Sequence, residues 1–137
     1  MIRICLEYVH HKAEKIYVYA SHEEGFISTD FFYKINGKIV QRHQLHKAMQ
    51  NGESIYDSSI GRQKAVLRIL NEDIERIIKL CKEMQRDIMT EMKLVYDVSA
   101  NQLEAEYKYD LVYSSDPVKD ADDIAEEWFE AVHFIEK

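Results

Sequence analysis

The chain is poor in the residues that interrupt or crosslink a fold. Among 137 residues there are one proline, four glycines and two cysteines. So little proline and glycine excludes a collagen-like or low-complexity linker protein. Two cysteines, Cys5 and Cys81, are far apart in apolar surroundings and cannot make a disulfide-dense scaffold; they are expected to be reduced core thiols. No apolar run approaches the roughly 20 residues that span a bilayer, and no basic-then-apolar leader occurs, so a soluble, cytoplasmic protein is expected. A basic patch is also missing. Lys and Arg are spread among acids over the first 108 residues, which argues against direct nucleic-acid binding and against an anionic membrane surface.

The signatures of catalysis are missing too. There is no glycine-rich phosphate loop, no Gly-x-Ser-x-Gly, no Cys-x-x-Cys and no His-Glu-x-x-His. His43 and His46 are three apart and would share a helix face, but a metal site needs further ligands. His10, His11 and His133 read as surface residues. The expectation is a chain with no catalytic site, no cofactor and no metal, and hence no enzyme.

What is present is charge asymmetry. The net charge is −7, and Ser114–Lys137 carries eight acids against two bases, while the rest holds 17 acids against 16 bases. In that segment Ala121, Ile124, Ala125, Trp128, Phe129 and Val132 recur at helical spacing, predicting an amphipathic helix with one acidic face. Acids in the first turn suit the helix dipole, which accounts for Asp120, Asp122 and Asp123. Glu126, Glu127 and Glu130 lie toward the other end and need another reason, either solubility or contact with a basic partner.

The rest of the pattern is that of an α+β domain spanning residues 1–137. Ile2, Cys5, Leu6 and Val9 predict a short leading helix, with a strand as the alternative. Lys15–Ser21 alternates Ile16, Val18 and Ala20 against Tyr17 and Tyr19, a half-buried strand. After a turn at His22–Gly25, a longer strand runs from about Phe26 to Ile35. Asn36-Gly37 is the signal for a tight hairpin, with Lys38–Gln41 returning. His43–Ser54 reads as a short helix or loop, and Ser58 or Ser59 could cap a long helix. That helix carries Val66, Leu70, Ile74, Ile77 and Cys81 in one stripe, with Leu67, Ile78 and Met84 beside it. Near Thr90 the period becomes two. Met92, Leu94, Tyr96 and Val98 alternate with charge, and so do Leu103, Ala105, Tyr107, Tyr109 and Leu111 after a turn at Ser99–Gln102. Asp116-Pro117 breaks the chain before the acidic helix. The predicted architecture is an antiparallel sheet of about five strands in two hairpins, with helices packed on one face.

Five blocks carry a resemblance: Asp30–Lys38 (DFFYKINGK), Arg62–Leu67 (RQKAVL), Thr90–Asp97 (TEMKLVYD), Tyr109–Pro117 (YDLVYSSDP) and Ala121–Glu130 (ADDIAEEWFE). In that order they resemble the YezG/EsaG family, over about Lys15–Ala131. These are immunity proteins, or antitoxins, that protect Gram-positive bacteria from their own type VII-secreted toxins, notably nucleases. The chain departs from that pattern at His10–Glu14, which stands where family members have a longer leading helix and an acidic, tryptophan-containing turn. The resemblance implies an α+β protein that binds a secreted toxin's nuclease domain in a 1:1 complex and blocks it until export. A nuclease site is cationic because it holds phosphates, so an acidic face suits it. Asp122, Asp123, Glu126, Glu127 and Glu130 are the partner-binding candidates. Two other readings stay open. One is an acidic module for another basic protein. The other is a small ligand-binding or enzymatic domain with a pocket lined by Tyr17, Tyr19, Tyr33, Tyr96, Tyr107 and Tyr109.

Overall fold

The structure, a computed structural model, describes residues 1–49, 59–112 and 118–135. The alternative cap Ser58, the end of the His43–Ser54 segment and the Asp116-Pro117 break lie outside those residues. The elements follow in order as α1 (Ile2–Tyr8), β1 (Lys15–Glu23), β2 (Phe26–Ile35), β3 (Lys38–Gln41), a 3-10 turn (Leu45–Ala48), α2 (Ile60–Glu83), β4 (Glu91–Asp97), β5 (Gln102–Lys108) and α3 (Ala121–Ile135). The fold is α+β, with five antiparallel strands in the order β3-β2-β1-β4-β5.

Turn chemistry sets the register. Asn36 (φ 51°) and Gly37 (φ 77°) both take the left-handed conformation that a two-residue hairpin demands. They close β2 and β3 with Ile35 opposite Lys38. Glu24 (φ 52°) and Gly25 (φ 82°) do the same between β1 and β2. In the turn after β4, Asp97 accepts hydrogen bonds from the Ser99 hydroxyl (3.0 Å) and the Ala100 N–H (3.1 Å). These bonds hold its carboxyl below the ordinary value.

One face of the sheet is the larger core. Ile16, Val18, Ala20, Phe31, Tyr33, Met92 and Leu94 meet Cys5, Tyr8 and the α2 row Val66, Leu70, Ile74 and Ile78, all buried. The row repeats every four residues, so Ile78 is the buried member and Ile77 and Cys81 stand beside it half-buried. The Ser59 side chain caps α2 by accepting from the Arg62 N–H (3.4 Å). Tyr33 donates its hydroxyl to the Cys5 carbonyl (2.6 Å), and the Tyr8 hydroxyl donates to the Arg42 carbonyl (2.8 Å). Both buried phenols are thereby satisfied, which removes the cost of an unpaired hydroxyl. Burial raises the Cys5 thiol to about 12, the N-terminal ammonium opposing that rise, and burial likewise raises the Tyr33 hydroxyl.

Three details differ from the sequence-based expectations. Helices cover both faces: α1 and α2 lie on the core face, and α3 packs against β2 and β3 on the opposite one. For that reason β1 is buried on both faces, with Tyr17 and Tyr19 as deep as Ile16 and Val18. The third difference is in β5, all seven residues of which are exposed, Leu103 by 55% and Tyr107 by 50%. Its apolar residues are in register with Met92, Leu94 and Tyr96 of β4, but α2 packs over β2, two strands away from β4, and leaves them uncovered. Among the described residues no helix is long and apolar enough to cross a membrane.

Candidate partner-binding face

The acidic helix α3 sits on an aromatic seat. Tyr17 of β1 and Phe32 of β2 are direct cross-strand partners and stack with centroids 4.6 Å apart. Trp128 meets both rings edge-on, at 5.9 and 5.1 Å, and Phe129 meets Phe32 edge-on at 5.2 Å. Edge-to-face pairs of this kind add about 0.5–1.5 kcal/mol each beyond the area they bury. Lys93 Nζ stands 5.6 Å from the Trp128 centroid. Ile39 completes the cluster, and Ala125 of α3 is buried as well. The helix is therefore oriented by its apolar stripe, which turns the acids outward.

The N-terminus of α3 is fixed by a capping box. The Asp123 N–H donates to Asp120 Oδ1 (2.9 Å), and the Asp120 N–H donates to Asp123 Oδ2 (3.0 Å). All five candidate acids, Asp122, Asp123, Glu126, Glu127 and Glu130, are exposed. The structure places them in two rows. Asp123 and Glu127 form one, the first held in the capping box and the second ion-paired to Lys119. Asp122, Glu126 and Glu130 form the other, along the side of α3 that borders β3.

The second row meets the sheet at three points. Asp122 stands near Asp30, which is half-buried and ion-paired to Arg42. Burial raises the Asp30 carboxyl above its ordinary value, the Arg42 guanidinium and the Phe31 N–H pull it back, and Asp122 adds to the rise. Glu126 accepts a hydrogen bond from the Gln41 amide (3.0 Å). Glu130 lines a cleft of about 410 Å³ between α3 and β3. The side chains of Asp122 and Glu130 make neither a hydrogen bond nor an ion pair with any described residue. Three of the five acids are thus engaged locally, and two are not.

The other sequence-based candidates do not assemble into a site. His43 and His46 are exposed, and His46 lies in the 3-10 turn rather than on a shared helix face. Among the described residues no group of three or more His, Cys, Asp or Glu side chains could hold a metal ion. The tyrosines do not converge. Tyr17 and Tyr19 point to the α3 face, Tyr33 lies in the core on the other face, and Tyr107 and Tyr109 are exposed beside the β5 edge. His133 is not a plain surface residue, because it stacks on Phe129 (5.9 Å) in the wall of the β3–α3 cleft.

Two buried acids escaped the sequence reading. Glu91 is only 2% exposed and accepts from the Tyr19 hydroxyl (3.1 Å), with Lys93 at 3.7 Å and Lys108 at 3.6 Å. Glu23 is equally buried and accepts from the Val112 N–H (3.0 Å). Glu91 stands on the charged side of an alternating strand and reads as solvated, while Glu23 falls in the expected His22–Gly25 turn; β1 instead runs on to Glu23 and buries it. Their hydrogen bonds tie the β1–β4–β5 corner together on the face that carries α3. No protein-family model and no curated protein matches this chain.

Proposed function

We propose that this chain is an immunity protein of the YezG/EsaG type, acting in the cytoplasm. It binds the nuclease domain of a type VII-secreted toxin 1:1 and blocks it in the producing cell, without catalytic activity or a cofactor of its own. One observation above the others supports this reading. The acids of α3 are presented outward from a helix whose other side is seated on Tyr17 and Phe32 and whose start is capped. Binding then needs little ordering of the acidic row, and that lowers its entropic cost. Opposite charge on a phosphate-binding cleft would speed encounter and hold the complex in one orientation.

Coexpression with nuclease domains of the type VII class tests the reading. The expected result is a copurifying 1:1 complex and loss of DNA cleavage. Cleavage left untouched by an excess of the folded protein, across a panel of such domains, would reject it. Retention of some other basic protein in its place would support the module reading instead.

A further inference from the structure

The cleft between β3 and α3 has a geometry that the acidic face does not use. In a two-residue hairpin the closing pair, here Ile35 and Lys38, exchanges hydrogen bonds, and bonded pairs alternate from there. Lys38 and Val40 therefore turn their backbone groups toward β2, and Ile39 turns its N–H and C=O outward. The cleft is lined by this edge, Gly37 to Val40. No hydrogen bond of the Ile39 backbone to any described residue exists beyond the β2–β3 ladder. An unladdered N–H and C=O on an edge strand is a template for another strand.

The two walls differ in chemistry. On one side stand Phe129 and the His133 ring stacked on it, with Glu130 at the rim. On the other side the exposed Lys47 of the 3-10 turn stands beside the exposed Lys38 of β3, whose ammonium donates to the Lys47 carbonyl (3.3 Å). A strand added along Ile39 would send alternate side chains to these two walls, because its period is two. Those facing Phe129 should be apolar, and Glu130 disfavours a carboxylate there. Those facing Lys38 and Lys47 should be acidic.

We infer that this cleft is a docking groove for an extended protein segment that alternates apolar and acidic side chains and joins the sheet beside β3 as a sixth strand. The inference does not rest on the toxin reading, since its occupant is recognised by the two lysines and the β3 edge rather than by the acids of α3.

The probe is a blocked, fluorescein-labelled peptide alternating valine and glutamate, titrated by anisotropy against the full chain. A matching valine–lysine peptide and a valine–glutamate peptide N-methylated at alternate backbone positions serve as controls. The glutamate peptide should bind roughly tenfold more tightly than the lysine peptide, with N-methylation abolishing binding and the Ile39 amide resonance shifting on titration. K38E/K47E, both at exposed positions, should reverse the preference without loss of folding. Equal affinity for the two charged peptides, no binding of either, or resonance shifts confined to β5 would overturn the inference.

Discussion

The two faces of the sheet are packed in different ways. The α1–α2 face is broad and mostly aliphatic, with Ile16, Val18, Leu70 and Ile74 essentially inaccessible to water. The α3 face is small and aromatic, a cluster of Tyr17, Phe32, Ile39 and Phe129 with Trp128 partly covering it. Burial scales with apolar area, so the first face holds most of the stability, and the second only has to hold one helix in place. This arrangement predicts that the acidic helix can leave its seat with the sheet intact. The main core and the proposed partner-binding helix thus lie on opposite sides of the same five strands.

Breaking the first face should have the largest effect. Ile74→Ala removes a fully buried side chain from α2 and should cost about 2–5 kcal/mol, lowering the midpoint of chemical unfolding for every probe together. A loss below about 1 kcal/mol would mean that the α2 contact is not the main core.

Phe129→Ala should cost less than the Ile74 change in global unfolding, although the residue is larger. Its principal effect is expected in hydrogen exchange, where α3 amides should lose protection while β1 and β4 amides keep theirs. Loss of protection in α3, β1 and β4 together would show that the two faces are not separable.

A further effect, absent at neutral pH, is alkaline, and it belongs to the first face alone. The Cys5 thiol is raised to about 12 by burial, and the Tyr33 hydroxyl rises for the same reason. A group raised in the folded state contributes stability that is complete below its unfolded pKa and lost as pH climbs toward the folded value. Unfolding free energy should therefore fall as pH climbs from about 9 toward 12 through the Cys5 thiol, and the Tyr33 hydroxyl adds to the fall once its ordinary value is passed. Cys5→Ala should remove the Cys5 part of that slope, and an unchanged slope would contradict the assignment. At pH 8 the half-buried Cys81 should react with iodoacetamide in the folded protein and Cys5 should not.

Much of this fold was legible because its signals are local. Asn36-Gly37 needs left-handed backbone at both positions and has it; the apolar rows of α2 and α3 and the period-two runs of β1, β4 and β5 mark helices and strands from neighbouring residues alone. What was not legible depends on strand order. Nothing local tells Tyr17 and Tyr19 that a helix arriving a hundred residues later will cover them, or tells Leu103 and Tyr107 that β5 lies beyond the reach of α2. The burial of Glu91 likewise follows from pairing with Ser21 on one side and Lys108 on the other, which only the assembled sheet brings about. The acids of α3 were recognisable as a face, but their division into a capped, ion-paired row and a row along β3 required the seated helix.

The most direct test is inhibition of a cognate nuclease domain by the chain in which Asp122, Glu126, Glu127 and Glu130 are changed together to lysine, with Asp123 kept for its capping bond. Fluorescence of Trp128 and the unfolding midpoint establish that α3 remains seated. The account predicts that the variant stays folded and loses inhibition at physiological salt, and that inhibition by the unaltered chain weakens as salt rises. A folded variant that inhibits as well as the unaltered chain would contradict the claim that the acidic face binds the toxin.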